Sequence, residues 1–339
     1  MFTVDREDIA EILRQFGICE AVSHTEELLR YHYERDNPDS KQVRLILKAS
    51  FQDRGPVVVK FKNEQNVIRE VLEAQTGFSE HLASRGIPTA RYYHWSGGYV
   101  VPCVIRGWEV LTTVESFQPG EIKVVNPSVA KGTGQLLART HNIAERDRCH
   151  VRAPVLFDPF ARNELFSFEK FQQFGPRFQG EDAARFARIC AAYRERMVAL
   201  APLRDRPRYA VQGDISDCNL FLTPEGQVGM FDFNNCGDNV LFCDAVMQGV
   251  FEARLMDYDR NPAEAYSGLL FNSFLEGYQA ERPFTAQERE MVPHLCAVIE
   301  AFSLMDLTYR EDCLEKRLAS GDRAGVSALL QEIEGRIQR

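Results

Sequence analysis

The chain has 339 residues, is 45% hydrophobic and 26% charged, and carries a formal net charge of −9. That length exceeds what one hydrophobic core usually organises, so two lobes are predicted. The acidic balance, with no Lys/Arg-dense segment, argues against a nucleic-acid partner, and no apolar run approaches bilayer-spanning length. The first residues, MFTVDREDIAEIL, lack an apolar signal core, so a cytoplasmic protein is expected, with no membrane partner. The nine cysteines are scattered without a C-x-x-C pair and are expected to be reduced, with Cys218, Cys236 and Cys243 as small buried thiols.

Asp5 is positioned to cap a first helix, in which Ile9, Ile12, Leu13 and Phe16 recur at helical spacing. Strands are predicted over 28–33, 43–51 and 57–61, with polar turns at 34–40 and 52–56. The third strand, Val57-Val58-Val59-Lys60-Phe61, is β-branched and interrupted by Lys60. Side chains alternate along a strand, so Lys62 shares the side of Lys60. A lysine at a strand end is ordinarily solvated. One on an inner sheet face needs an anion, supplied by a nucleotide phosphate or a helix carboxylate.

A helix over 65–85 follows, with Val67, Val71, Leu72, Phe78 and Leu82 as its apolar stripe and Glu70 and Glu73 near one another on its surface. Gly86 and Pro88 stop it. Strands are then predicted over 92–95, 99–105 and 109–114. Residues 115–120 break the strand pattern, and helices dominate afterwards, so the lobes are drawn as 1–117 and 118–339. Asn126-Pro127 opens a helix reaching His141, expected to be a packed histidine. Gly132-x-Gly134 lies inside that helix with no strand leading into it, which argues against a dinucleotide loop. A Phe-rich stretch spans 157–176, and helices are predicted over 182–200, 245–256, 263–279, 285–304 and 322–337. Thr285-x-x-Glu288 opens one of them with a capping box.

The most informative stretch is 211–244. Two short apolar runs, 219–222 and 227–233, flank Thr223-Pro224-Glu225-Gly226, which has type I turn chemistry and predicts a hairpin. Pairing Leu222 with Gln227 sets Asn219 opposite Met230, with Asp232 two residues further on the same face. The Asn219 amide oxygen and the Asp232 carboxylate then become diagonal neighbours able to share a cation. Hard oxygen ligands suit Mg²⁺, which commonly takes few protein ligands plus phosphate and water. Asp214, five residues before Asn219, has the chemistry to accept a proton from an attacking hydroxyl. Singly, Asp214 reads as a turn cap and Asp232 as an arginine partner. Together, Gly-Asp, an Asn five residues on, a hairpin and an apolar-flanked Asp at eighteen residues form a demanding pattern.

Gln212-Gly213-Asp214, Asn219 and Phe231-Asp232-Phe233 resemble the catalytic core of the aminoglycoside phosphotransferase and choline kinase family. That family carries His-Gly-Asp, four residues, Asn, then a hairpin to an apolar-Asp-aromatic triplet. The resemblance implies an α+β, two-lobed protein-kinase-like fold: an N-terminal antiparallel sheet plus helix, and a larger, mainly helical C-terminal lobe with the catalytic hairpin. It implies an ATP-dependent kinase whose partners are a nucleoside triphosphate and a small-molecule hydroxyl acceptor. Asp214 would be the base, Asn219 and Asp232 would hold Mg²⁺ on the phosphates, and Lys60 would contact phosphate. Glu73 or Glu70 would pair with Lys60, Glu73 being favoured. Glu115 to Phe117 fall where the family grips adenine through backbone hydrogen bonds, and Asp244 where it braces the catalytic loop. Here Gln212 replaces the family's His, so that brace is expected as an amide hydrogen bond to Asp244. The alternative is a catalytically silent nucleotide-binding protein of the same fold. A protein kinase is disfavoured: there is no glycine-rich loop, and only 12 residues separate Asp232 from Asp244. Asp217, Glu252, Asp257 and Glu276 fit either a solvated acidic face or a site for an amine-bearing acceptor.

Overall fold

The computed structural model describes the chain except residues 66, 162, 164, 216 and 256–263, and the side chains of 36, 217, 254–255 and 264–267. In chain order the elements are α1 (Arg6–Gln15), β1 (His24–Tyr31), α2 (Tyr33–Asp36), β2 (Val43–Ser50), β3 (Val57–Asn63), α3 (Arg69–Ser84), β4 (Val101–Ile105), β5 (Trp108–Ser116), α4 (Pro127–Arg146) and α5 (Phe168–Gln173). They continue with α6 (Gly180–Leu200), β6 (Tyr209–Val211), β7 (Leu220–Leu222), β8 (Val228–Met230), β9 (Gly237–Asn239), α7 (Leu241–Val250), α8 (Glu264–Glu281), α9 (Ala286–Ala301), α10 (Leu314–Ser320) and α11 (Arg323–Gln338). They fall into two units, Met1–Ile122 with Cys218–Asn234, and Lys123–Asp217 with Asn235–Arg339.

The first unit is built on a five-stranded antiparallel sheet in the order β1-β2-β3-β5-β4. β3 is central, and its valines suit a strand buried on both faces. Val57, Val59 and Phe61 point into a core shared with Val43, Leu45 and Leu47 of β2, Val110 and Val114 of β5, and Ile9, Ile12 and Leu13 of α1. Burying each such side chain contributes roughly 1.5–3 kcal/mol. Asp5 caps α1 through a capping box completed by Asp8. Alternation sends Lys60 and Lys62 to the opposite face, where Lys62 faces Arg44 across β2 and Lys60 faces Thr113 across β5. β1 starts earlier than predicted and carries a bulge between Glu27 and Leu29; it is an edge strand with little buried surface, so its hydrophobic pattern is weak. The strand predicted over 92–95 is reduced to isolated bridges, Tyr92 to Glu115 and Trp95 to Gly98.

The hairpin β7–β8 forms, but one residue out of the expected register. Leu222 pairs with Val228 and Leu220 with Met230. The Thr223 amide donates to the Gln227 carbonyl at 2.8 Å, the Gly226 amide donates to the Thr223 carbonyl at 2.8 Å, and Gly226 has φ +77°. This is a three-residue loop with glycine in the left-handed position, not the shorter turn assumed from Pro224 and Gly226. Asn219 therefore aligns with Phe231, whose amide donates to the Asn219 carbonyl at 3.0 Å. A one-residue slip turns every later side chain to the other face. Here the chain turns out of the ladder at Asp232, which has φ +57°.

The hairpin belongs to the first unit rather than to the helical part that the 118–339 division assigned it to. The Leu222 amide donates to Gly120 O at 2.9 Å, the Ile122 amide to Leu220 O at 3.1 Å and the Met230 amide to Pro88 O at 3.0 Å.

The second unit is mainly helical. Asn126 caps α4 by accepting from the Val129 amide at 3.0 Å, with Pro127 in the first turn, and Thr285 and Glu288 form the predicted capping box on α9. α4 and α8 meet at backbone contact. A Cβ on Gly134 would lie 2.0 Å from the Phe274 carbonyl oxygen, and one on Gly277 would lie 2.0 Å from that of Lys131. The Gly132-x-Gly134 signal is thus a helix-crossing signal. β6 pairs with β9, Val211 opposite Gly237, and leads directly into Gln212-Gly213-Asp214. Among the described residues no helix is long and apolar enough to cross a membrane, and none of the nine cysteines is in a disulfide.

Candidate active site

In the first unit, the β3–β5 register decides the partner of Lys60. Glu115 lies on the Lys60 face of the sheet, diagonal to it, because Thr113 is directly opposite Lys60. The Lys60 ammonium sits 3.0 Å from Glu115 and 3.6 Å from Asp232, with the Lys60 and Glu115 side chains 5% and 4% exposed. Burial opposes the Lys60 charge, but the Asp232 and Glu115 carboxylates outweigh it and hold the ammonium above its ordinary range. Burial likewise pushes the Asp232 carboxyl up, and Lys60, Lys62 and the Asn234 amide outweigh it, so the group stays ionised. The Asp232 side chain is 25% exposed. Its left-handed backbone is a conformation that Asp tolerates better than most residues, and such conformations cluster at functional sites.

Glu73 is not the partner of Lys60. Its carboxylate accepts from the Tyr99 and Val100 amides at 2.8 and 2.9 Å and stands 3.9 Å from Arg69. By accepting those two amides it tethers the segment entering β4 to α3. The expected adenine-gripping stretch is also differently employed. The Glu115 side chain is buried against Lys60, the Ser116 amide donates to Arg91 O at 2.8 Å, and the Phe117 amide donates to Pro56 O at 3.1 Å. Those two amide donors are already engaged, and the Phe117 ring carries the Lys48 ammonium over its face at 4.2 Å.

Asn219 is buried in the same unit, immediately before β7. The oxygen chemistry of Asn219 and of an ionised, partly exposed Asp232 fits a hard divalent cation. Among the described residues there is no cluster of three or more His, Cys, Asp or Glu able to hold a metal. A cation here would therefore rest on few protein ligands, as Mg²⁺ on nucleotide phosphates does. Lys62, noted in the sequence only as the neighbour of Lys60, is buried and donates to the Asn234 side-chain oxygen, while Gln75 of α3 donates to the Asn234 carbonyl at 2.9 Å.

In the second unit, Asp214 follows Gly213, whose φ is +83° and whose Cβ position lies 2.4 Å from the Asn235 carbonyl oxygen, so only glycine fits there. The Asn235 side-chain amide donates to Asp214 Oδ2 at 2.9 Å. The Asp214 amide donates to Gln212 Oε1 at 2.7 Å, and the Ile215 amide donates to Gln248 Oε1 at 2.9 Å. Asp244 accepts from Gln248 at 3.3 Å and from His141 Nε2 at 3.0 Å, and the Tyr278 hydroxyl lies 2.9 Å from His141 Nδ1. The brace expected between residue 212 and Asp244 is thus made by Gln248, which links the Ile215 amide to Asp244, while His141 of α4 holds the other Asp244 oxygen. Burial keeps the imidazole neutral, opposed by Asp244. With Asp244 accepting, Nε2 carries the hydrogen and Nδ1 accepts from Tyr278. Nothing in local pattern points His141 to Asp244, because the two are more than a hundred residues apart. Asn235, by contrast, stands two residues beyond the Phe231-Asp232-Phe233 triplet, where a partner for the loop was findable.

Of the acidic residues considered for an acceptor, Glu276 pairs with Lys131 as an exposed surface contact and Glu252 is buried. Asp257 and the Asp217 side chain lie outside the described residues.

A protein of Deinococcus radiodurans described only as uncharacterized is 26% identical over 227 residues, which cover 66% of this chain and 62% of that protein, so the chain spans under two thirds of its length. A solved amicoumacin kinase in complex with AMP-PNP, Ca²⁺ and Ami superposes with a TM-score of 0.57 at 16% identity, covering 98% of this chain and 94% of the other. A microcompartment-associated aminopropanol kinase gives 0.59 at 14%, covering 98% and 95%. At these identities the likeness is one of fold, and the fold is protein-kinase-like. The model of the phosphotransferase enzyme family matches residues 47–302, from β2 through the Asp214 and Asp232 motifs to the end of α9. With well over half its length matched, the chain belongs to the phosphotransferase enzyme family.

Proposed function

We propose that the protein is an ATP-dependent kinase that transfers the γ-phosphoryl group to a hydroxyl of a small molecule. The observation that carries this reading is the buried Lys60, held between Glu115 and an ionised Asp232 whose backbone is left-handed. A fold that buries an ammonium and one carboxylate beside a second, partly exposed carboxylate supplies fixed charges of the kind phosphoryl transfer requires. Lys60 binds the phosphates of the nucleotide. Asn219 and Asp232 would hold Mg²⁺, which when bound offsets charge on the phosphate oxygens. Asp214 accepts the proton of the acceptor hydroxyl as its oxygen bonds to the γ-phosphorus. The bond to the β–γ bridging oxygen breaks, and its electron pair leaves with the diphosphate. Asn235, which donates to one Asp214 oxygen, orients the carboxylate, and the Gln212 and Gln248 hydrogen bonds hold the loop backbone. Gln212 therefore supports a positioned base rather than a silent protein. The structural neighbours named as kinases of amicoumacin and aminopropanol support the small-molecule class of acceptor. A cytoplasmic location is part of the same proposal.

Thermal melts with ATP, with and without Mg²⁺, test the metal role. At 100 times its dissociation constant a ligand stabilises by about 2.7 kcal/mol. The wild type is expected to show a shift that needs both ATP and Mg²⁺, and Asp232→Ala to lose its metal-dependent part. A shift in the variant equal to that of the wild type contradicts the assignment.

A further inference from the structure

The face of the sheet carrying Lys60 holds three cations in a row, and their partners are unequal. Lys60 has Glu115 and Asp232. Arg44 has Glu64, at 2.8 Å, and Glu64 also accepts from the Tyr33 hydroxyl. Lys62 stands directly across from Arg44, a like-charge pairing that costs rather than contributes. Among the described residues no carboxylate lies within ion-pair distance of Lys62, and its hydrogen-bond partner is the neutral amide of Asn234. The lysine is nonetheless 4% exposed. Burying an ammonium without a counter-charge is expensive, and a position that serves only packing would be better filled by an apolar side chain. Burial also drags its affinity for a proton down to about 8, with Lys60 and Arg44 adding to the effect and Asp232 opposing it.

We infer that Lys62 is a second cation for the polyphosphate chain of the nucleotide, whose phosphate charge supplies the counter-ion that no carboxylate within ion-pair distance gives this ammonium. The inference rests on the kinase reading above. Lys60 enters the reaction already paired, and Lys62 is the member of the row whose counter-charge the substrate supplies. The second cation also answers a gap in the sequence. The connection between β1 and β2 has no glycine with which to wrap phosphates by backbone amides, so side-chain charge on β3 carries more of the burden.

Two variants of the full-length protein test this. Lys62→Met removes the charge and the hydrogen bond. Lys62→Gln removes the charge but keeps a donor for Asn234. Isothermal titration with Mg-ATP and with AMP measures the ligand role, and the melting temperature of the ligand-free protein measures the structural one. Both variants are expected to weaken Mg-ATP by about 10- to 100-fold, the range of one charge-assisted contact, while AMP changes little. Lys62→Met is expected to raise the melting temperature of the free protein, because it removes an uncompensated buried charge. The inference is overturned if Lys62→Gln binds Mg-ATP as the wild type does. It is also overturned if Lys62→Met lowers the melting temperature and weakens ATP and AMP alike. A wild type that binds no nucleoside triphosphate overturns the kinase reading and this inference together. A wild type that binds Mg-ATP tightly beside indifferent variants overturns the inference alone.

Discussion

Glu115→Gln is the perturbation that separates the observed ion-pair network from the one expected of the family. The Lys60 ammonium lies 3.0 Å from Glu115 and 3.6 Å from Asp232, and both Lys60 and Glu115 are almost wholly buried. Removing one member of a buried pair costs about 3–5 kcal/mol, because it strands the other charge. Here Asp232 remains as a second carboxylate and Gln keeps an acceptor oxygen, so the expected loss is about 2–3 kcal/mol. Glu73→Gln is the control. Glu73 accepts two backbone amides, at 2.8 and 2.9 Å, and Gln can still accept one, so the expected loss is about 1 kcal/mol. Urea denaturation of the two variants beside the wild type reads both losses from the shift in midpoint. Glu73→Gln matching or exceeding Glu115→Gln would place the partner of Lys60 on α3 and refute the β3–β5 register as the source of the pairing.

Gly213→Ala forces a Cβ to within 2.4 Å of the Asn235 carbonyl oxygen at a φ of +83°, so it is expected to cost about 2–4 kcal/mol and to lower kcat by disturbing the Asn235 contact with Asp214. Urea titration and steady-state kinetics check the two effects. Gly134→Val would press α4 off α8, where even a Cβ meets the Phe274 carbonyl at 2.0 Å, and is expected to cost about 3 kcal/mol or more, read as a lower urea midpoint. His141 supplies a pH dependence. Burial holds its proton affinity below the ordinary 6.5, so below that pH the unfolded chain takes up a proton that the folded chain refuses. Its stabilising contribution is therefore complete above 6.5 and is lost as the pH falls from there through the lowered folded value. Melting temperatures followed from about pH 7 to about pH 5 should fall less steeply for His141→Gln than for the wild type.

Much of the site was legible in local pattern, and what escaped it was long-range register. Lys60 stood out because a charged residue broke a run of valines, and the structure puts it in the central, doubly buried strand that such a run predicts. Its partner did not stand out, because Glu115 reaches Lys60 through a strand pairing that spans more than fifty residues of sequence. Glu73 looked the better candidate only by analogy. The hairpin was readable from Pro224 and Gly226, yet its loop holds one residue more than assumed, and a slip of one residue reverses the faces of a strand. The left-handed turn at Asp232 is a backbone feature that an Asp codon position does not announce. His141 was correctly expected to be packed, but its bond to Asp244 depends on α4 meeting α7, and its contact with Tyr278 on α4 crossing α8 at Gly134 and Gly277, which spacing alone does not reveal.

The measurement that bears most directly on the proposed activity is Mg-ATP turnover against a panel of small-molecule hydroxyl compounds, amine-bearing ones included, with Asp214→Asn beside the wild type. A positioned general base contributes about 10²- to 10⁴-fold. The wild type should transfer the γ-phosphoryl group to at least one class of hydroxyl. Asp214→Asn should lose about that factor in kcat while binding Mg-ATP with affinity close to that of the wild type. Phosphoryl transfer that proceeds unchanged in Asp214→Asn, or Mg-ATP binding that no acceptor converts into turnover, would contradict the assignment.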